Sequence, residues 1–218
     1  MLKVKIAKSF QGFQLNTEWE VKNGEIAVLF GPSGSGKSLS IRSIAGLEKP
    51  DQGFIEIDQR LVFESQKGVD VPARERNVGY VPQNYALFPH MTVVENIMFG
   101  MGKSYKENGR VILQELLSRV GLEGKQNKYP RQLSGGEKQR AALLRALARN
   151  PRVLLLDEPF SAVDIPVRNI LRDEIRTFLK TWHIPIVLVT HDPQDLEVMA
   201  TKVIEYRDNL LTLSNCQA

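Results

Sequence analysis

Cysteine is almost missing from this chain: Cys216 is its one thiol in 218 residues. No disulfide framework can be built from it, which suits a reducing compartment. Long apolar runs are missing too. No window approaches the ~18 uninterrupted apolar residues of a membrane span. The first ten residues, Met1–Phe10, alternate apolar side chains with lysine and present no signal-peptide core. The expectation is a soluble, cytoplasmic chain unless a partner holds it to a membrane. Charge of one sign is also lacking. The 29 basic residues against 25 acidic leave a net charge of +4, too small an excess to argue for nucleic acid as a partner. What is present is ordinary: 42% hydrophobic and 25% charged residues exclude disorder and fibrous repeats. The length suits one large domain, or a domain carrying an inserted subdomain.

Two hydrophobic patterns divide the sequence. From Leu2 to about Val21, and again from Phe54 to Phe63, apolar residues alternate as in half-buried antiparallel strands. Ile26–Phe30, Val153–Leu156 and Ile186–Thr190 are instead continuous apolar runs, the mark of parallel strands covered on both faces. Val78–Pro82 reads as a fourth strand of that sheet. Helical stretches between these runs predict a βαβ-wound core. Arg110–Val120 (Val111, Ile112, Leu116, Val120) and Glu137–Arg149 (Ala141, Leu144, Ala148) read as amphipathic helices. They belong to a stretch, about 84–150, without a strand-like run, expected as a mostly helical insertion.

The most specific motif is Gly31-Pro32-Ser33-Gly34-Ser35-Gly36-Lys37-Ser38. It fits G-x-x-x-x-G-K-[ST], with an apolar strand before it and a helix after it. Its glycines let backbone N–H groups turn inward as a cradle for phosphate oxygens, at the positive end of the next helix. Lys37 is placed to reach β- and γ-phosphates, and the Ser38 hydroxyl to ligate Mg²⁺. Downstream, Val153–Asp157-Glu158 sets two acids at the end of a buried strand. In open parallel sheets, ligands bind at this edge. Asp157 suits the Mg²⁺ shell, and Glu158 can polarise an attacking water. Two more strands end in polar groups: Gln83, able to touch the Mg²⁺ shell or the water, and His191, able to donate to a γ-phosphate oxygen.

Leu133-Ser134-Gly135-Gly136-Glu137 opens a helix. Ser134 and Glu137 stand at capping-box spacing, whereas glycine at the first two helical positions costs about 1 kcal/mol each relative to alanine. A helix start of purely structural purpose would not choose them. The two glycines and the serine leave bare donors at a positive helix end, a second anion surface. Since the first cradle already serves one set of phosphates, this one is expected to serve a nucleotide held by another copy.

With these residues in place, the chain resembles the ATPase subunits of ABC transporters over essentially its whole length. The resemblance implies an α/β P-loop NTPase fold (RecA-like): a mainly parallel core sheet, an antiparallel β subdomain and an inserted helical subdomain. The implied organisation is one domain over 1–218. Residues 1–83 and 151–218 form the core with its antiparallel part, and 84–150 carry the signature. By that resemblance Leu133–Glu137 is the signature, Gln83 the Q-loop glutamine, Asp164 the D-loop aspartate and His191 the switch histidine. An aromatic ahead of the P-loop would stack on adenine, with Phe10 the first choice and Phe13 the alternative. Lys67–Tyr80 and Leu87–Thr92 resemble importer ATPases of the sulfate, molybdate, iron and polyamine groups. Phe99–Ser104 and Asp164–Arg168 look closest to molybdate-type members. Such subunits often continue into a C-terminal regulatory domain, and this sequence stops at Ala218, which leaves inhibition through such a domain open.

The resemblance implies ATP and Mg²⁺ as ligands and two copies of the chain facing each other head to tail. Each ATP would lie between one P-loop and the other copy's Ser134–Gly136. The further partners are integral membrane permease subunits, contacted through Tyr85–Met91 and binding the chain to the cytoplasmic face of the membrane, and indirectly a substrate-binding protein. The cargo implied is an oxyanion such as molybdate, tungstate or sulfate. Other readings stay open: an importer of iron, polyamine or sugar, a non-transport ABC ATPase, an exporter half, or a P-loop kinase or GTPase. The interval from Lys37 to Ser134 has no sustained heptad, against the coiled-coil ABC proteins, and the signature argues against the kinases and GTPases.

Overall fold

A computed structural model describes residues 1–10, 13–101, 113–114, 116–118, 120–161, 165–207 and 210–214. Two sheets organise them. The antiparallel one joins five strands in the order β2-β1-β4-β5-β6: β1 (Leu2–Phe10), β2 (Phe13–Val21), β4 (Gln52–Ile57), β5 (Arg60–Glu64) and β6 (Val69–Asp70). Its alternation works as read from the sequence: Leu2, Val4 and Ile6 are buried. The intervening lysines turn outward to cross-strand carboxylates, Lys3 to Glu56 at 3.0 Å and Lys5 to Glu18 at 2.8 Å.

The second sheet has six strands in the order β11-β10-β3-β9-β8-β7. β3 (Ile26–Phe30), β9 (Ile186–Thr190), β8 (Val153–Asp157) and β7 (Val78–Val81) run parallel. β10 (Lys202–Arg207) lies parallel to β3, and β11 (Leu210–Ser214) closes that edge antiparallel. Every residue of β8 and β9 is buried, while β7, at the other edge, is half-exposed at alternate positions. The three continuous apolar runs are therefore the central strands, covered on both faces.

The two faces have different covers. Ala27, Leu29, Leu155, Val187 and Val189 pack with Ile41 and Ile44 of α1 (Lys37–Ala45) and with the antiparallel sheet. Val28, Leu154, Leu156 and Leu188 share a core with α2 (Val93–Met101), α3 (Gly135–Leu147), α4 (Ile165–Lys180) and α5 (Pro193–Met199). The strand period of two sends neighbouring residues to opposite covers. The fold is thus α/β, built on a mainly parallel sheet with an antiparallel sheet beside it.

Several elements differ from the sequence expectation. The helix expected over Glu137–Arg149 starts two residues earlier and ends at Leu147. The one expected over Arg110–Val120 lies partly outside the described residues; positions 113–114 and 116–118 are helical, with Leu113 and Leu117 buried deepest. α2, α4, α5, β6, β10 and β11 have no counterpart in the sequence reading. Between β7 and β8 no strand occurs among the described residues. Among the described residues, no helix is long and apolar enough to cross a membrane.

Candidate functional site

The strand-to-helix turn after β3 is shaped by contact with β10. A Cβ on Gly31, whose φ is +154°, would stand 2.3 Å from the Tyr206 carbonyl oxygen, so no other residue fits. The turn ends at Gly36, which caps α1 in the left-handed region with no side-chain hydrogen bond. The donors of the first helical turn are thus left without a side-chain cap. Lys37, 5% exposed, curls back over the loop. Its Nζ donates to Gly31 O at 2.8 Å, Pro32 O at 2.6 Å and Ser35 Oγ at 3.3 Å. Burial holds its ammonium pKa below the ordinary value, against the opposing charges of Glu158 and Asp157. Ser33, Gly34, Gly36, Lys37 and Ser38 line a hollow of about 290 Å³ together with Arg42 and Glu158.

Three neighbouring parallel strands bring the polar ends together. Val81 pairs with Leu156 and Asp157 with Val189. Gln83, Asp157, Glu158 and His191 therefore emerge at one edge. Asp157 is buried: Ser38 Oγ donates to its Oδ1 at 2.8 Å and the Tyr80 hydroxyl to its Oδ2 at 3.3 Å. Desolvation raises its pKa, opposed by these two hydrogen bonds and reinforced by Glu158. Burial and the adjacent Asp157 push the Tyr80 hydroxyl up as well.

Glu158 turns sharply out of β8. Its φ of +45° is left-handed, a conformation that costs a non-glycine residue about 1 kcal/mol, and its N–H is held by Val189 O at 3.0 Å. The turn aims the carboxylate between two groups. Gln83 Nε2 donates to Oε2 at 3.1 Å, and His191 Nδ1 stands 3.2 Å from Oε1. Glu158 also borders a second hollow, of about 210 Å³, with Gln83, Ser161 and His191. The loop after Gln83 is fastened from α3: Arg145 donates to Tyr85 O at 2.8 Å and Ala86 O at 2.5 Å.

The signature residues lie elsewhere. Ser134 caps α3 as its spacing predicts: Glu137 N–H donates to Ser134 Oγ at 3.3 Å, and Ser134 N–H to Glu137 Oε2 at 2.8 Å. That backbone hydrogen bond, outweighing desolvation and aided by Lys125, lowers the Glu137 pKa. Ser134, Gly135 and Gly136 line neither hollow. At Gly136 the helix also runs close to α4: a Cβ there would stand 3.0 Å from Cδ1 of Leu171, the end of a flexible side chain. In the segment Tyr85–Met91, Tyr85 is buried, while Phe88 stacks edge-on against the exposed Phe99, centroids 4.6 Å apart. Asp164 lies outside the described residues, as do the side chains of Phe10 and Phe13, whose backbones pair at the end of the β1–β2 ribbon.

Sequence reasoning missed Arg42, Tyr80 and Tyr206. Arg42 was within reach of a spacing argument, one helical turn beyond Ser38 on α1. Tyr80 and Tyr206 carry no such signal, because only strand pairing sets them beside Asp157 and the glycine-rich turn.

The ABC transporter family model matches residues 15–161. The sulfate/thiosulfate import ATP-binding protein CysA of Synechocystis sp. is 44% identical over 214 residues, 96% of this chain and 57% of that protein. Its namesake in Gloeobacter violaceus is 46% identical over 204 residues, 91% of this chain and 58% of that one. A probable protein of that name in Chlorella vulgaris is 44% identical over 205 residues, covering 91% of this chain and 84% of that one. The chain thus spans a little under six tenths of the first two. Among solved structures, the dimeric bacterial ABC transporter cassette MJ0796 superposes with a TM-score of 0.79 at 30% identity, over 96% of this chain and 95% of that one. Its post-hydrolysis state bound to ADP and Pi gives 0.76 at the same identity and coverage. The two-sheet core is that of an ATP-binding cassette, and the chain belongs to the ABC transporter family.

Proposed function

We propose that this chain hydrolyses ATP as the ATP-binding subunit of an importer for an oxyanion, sulfate above the other candidates. One observation carries the catalytic part. The Glu158 carboxylate borders the hollow beneath the glycine-rich turn while Gln83 Nε2 and His191 Nδ1 hold it from two sides. Glu158 accepts the proton of the water that attacks the γ-phosphorus, and ADP and phosphate are the products. Gly31–Ser38 cradles the phosphates, with Lys37 leaving the Gly31 and Pro32 carbonyls to meet the β- and γ-oxygens. His191 donates to the γ-phosphate, and Gln83 orients the water.

Mg²⁺ fits the oxygen donors present. Ser38 Oγ and Asp157 Oδ1 lie 2.8 Å apart, two hard ligands for a cation that keeps several waters. Bound there, with Gln83 at the edge of its shell, Mg²⁺ would neutralise phosphate charge.

Ser134, Gly135 and Gly136, which line neither hollow of their own chain, serve the ATP of a second copy placed head to tail; the dimeric state of the MJ0796 cassette supports this arrangement. Asp164 sits at the same interface, and Phe10 stacks on adenine. Residues 84–150 pass the motion to integral membrane permease subunits through the surface around Phe88 and Phe99, which holds the chain at the cytoplasmic face of the membrane. A substrate-binding protein delivers the cargo to that permease. The cargo rests on the relatives, which bear the sulfate/thiosulfate name rather than the molybdate name that Phe99–Ser104 suggests.

The test is Glu158→Gln. Glutamine keeps the shape but cannot take the proton, so turnover falls by ~10²–10⁴ while ATP still binds. The variant then elutes as a dimer with ATP and as a monomer with ADP. Turnover at the native rate would overturn the assignment.

A further inference from the structure

A buried guanidinium that this hydrolysis scheme does not use lies behind His191. Arg172 of α4 is 1% exposed, and among the described residues its side chain hydrogen-bonds to four others. Its Nε donates to Asp195 Oδ1 at 2.5 Å, and Nη2 to Asp192 Oδ2 at 2.6 Å. Nη1 donates to Asn169 Oδ1 at 2.8 Å and Gln194 Oε1 at 2.9 Å. Its guanidinium carbon lies 5.8 Å from the centre of the Phe160 ring.

The partners are placed around His191 from both chain directions. Asp192 comes directly after it and caps α5, taking the Gln194 N–H on Oδ1 at 2.9 Å. Thr190 precedes it; its Oγ1 donates to Asp195 and accepts the Asp192 N–H at 3.0 Å. Both neighbours of His191 thus end on carboxylates that Arg172 grips. The third contact, Phe160, is two residues past Glu158. The His191 side chain is itself 57% exposed, so its ring has little packing of its own to fix it.

Stability alone does not call for this cluster. Taking the guanidinium and the Asp195 carboxylate out of water carries a desolvation cost, and apolar residues of similar volume often do as well. Desolvation pushes the Asp195 carboxyl up, against the hydrogen bonds of Thr190 and Arg172. What an apolar cluster would not supply is direction, since bonded charges fix the orientation of the groups they join.

We propose that Arg172 is a positioning residue for hydrolysis: it holds the His191 loop against the segment that carries Glu158 and so sets the contact between those two side chains. The proposal rests on the roles given above to Glu158 and His191.

The test compares Arg172→Met, Arg172→Lys and Thr190→Val with the native chain. Valine keeps the shape of Thr190 without the Asp195 and Asp192 bonds, and it carries the test if Arg172→Met does not fold. Turnover should fall about 10- to 100-fold in Arg172→Met, the scale of a 1 Å misplacement. It should fall less in Thr190→Val and recover in part with lysine. The Kd for ATP stays within about twofold, because the phosphate cradle is untouched. A second readout is independent of activity. The chain has three histidines, His90, His183 and His191, and in imidazole NMR spectra only the His191 resonance should move. An unmoved His191 signal in the folded variants overturns the positioning role. A moved signal with native turnover instead overturns the reading of His191 and Glu158 as reacting groups.

Discussion

Ser38 and Asp157, 119 positions apart in sequence, are joined by a 2.8 Å hydrogen bond from hydroxyl to carboxylate. One stands at the start of the helix after the glycine-rich turn, and the other ends β8, which β9 separates from β3 in the sheet. Asp157 sits there at a cost, because desolvation outweighs its two hydrogen bonds and raises its pKa. A carboxyl whose folded pKa lies above the unfolded one destabilises the fold when ionised. The penalty is present above that raised value and is relieved as pH falls through it.

Asp157→Asn is therefore expected to unfold at a higher temperature than the native chain at pH 7. The difference should shrink as the pH is lowered into the acid range. The same variant should lose Mg²⁺-dependent ATP binding. Thermal melts across pH, paired with calorimetry with and without Mg²⁺, check both halves.

Lys37→Ala removes the charge assigned to the β- and γ-phosphates. Hydrolysis should disappear, as measured by phosphate release. The fold should persist, since the ammonium's present partners, the Gly31 and Pro32 carbonyls and Ser35, lie within its own loop.

Ser134→Arg should leave ATP binding by the monomer within about twofold while preventing ATP-dependent dimerisation. Titration calorimetry on monomer and light scattering with ATP separate the two. A lost monomer affinity would place Ser134 in the pocket of its own chain.

Gly31→Ala should be far more damaging than Gly34→Ala. At Gly31 the new methyl meets backbone at 2.3 Å, whereas at Gly34 nothing lies within 4 Å and only the φ of +81° resists. The expected losses are about 3 kcal/mol for Gly31 and ~1 kcal/mol for Gly34. Denaturant unfolding of both variants measures them.

Periodicity and motif made much of this protein legible without coordinates. The apolar runs of β3, β8 and β9 announced central parallel strands because burial on both faces removes alternation. Gly31–Ser38 stood out because phosphate recognition by backbone demands glycine at fixed spacing. Ser134 and Glu137 announced a helix start through their three-residue interval. α2, with its own capping bonds between Thr92 and Glu95, passed unread although those residues stand at capping-box spacing. α4 also passed unread although Leu171, Ile175 and Leu179, buried at four-residue intervals, mark a helical period; α5 and β10 are short, and too few apolar residues fall in each for a period to show.

The identities and spacings along the chain determined that Gln83, Asp157, Glu158 and His191 would sit at strand ends. Local sequence sets where a strand stops and which polar residue stands at its end. Which of them meet was decided by strand order together with the left-handed turn at Glu158. β7, β8 and β9 are neighbours, so one carboxylate, Glu158, receives both Gln83 and His191. Tertiary structure likewise put Tyr206 under Gly31 and Arg172 behind His191. These contacts join residues from separate elements of the fold, and no local rule of spacing or propensity reaches that far.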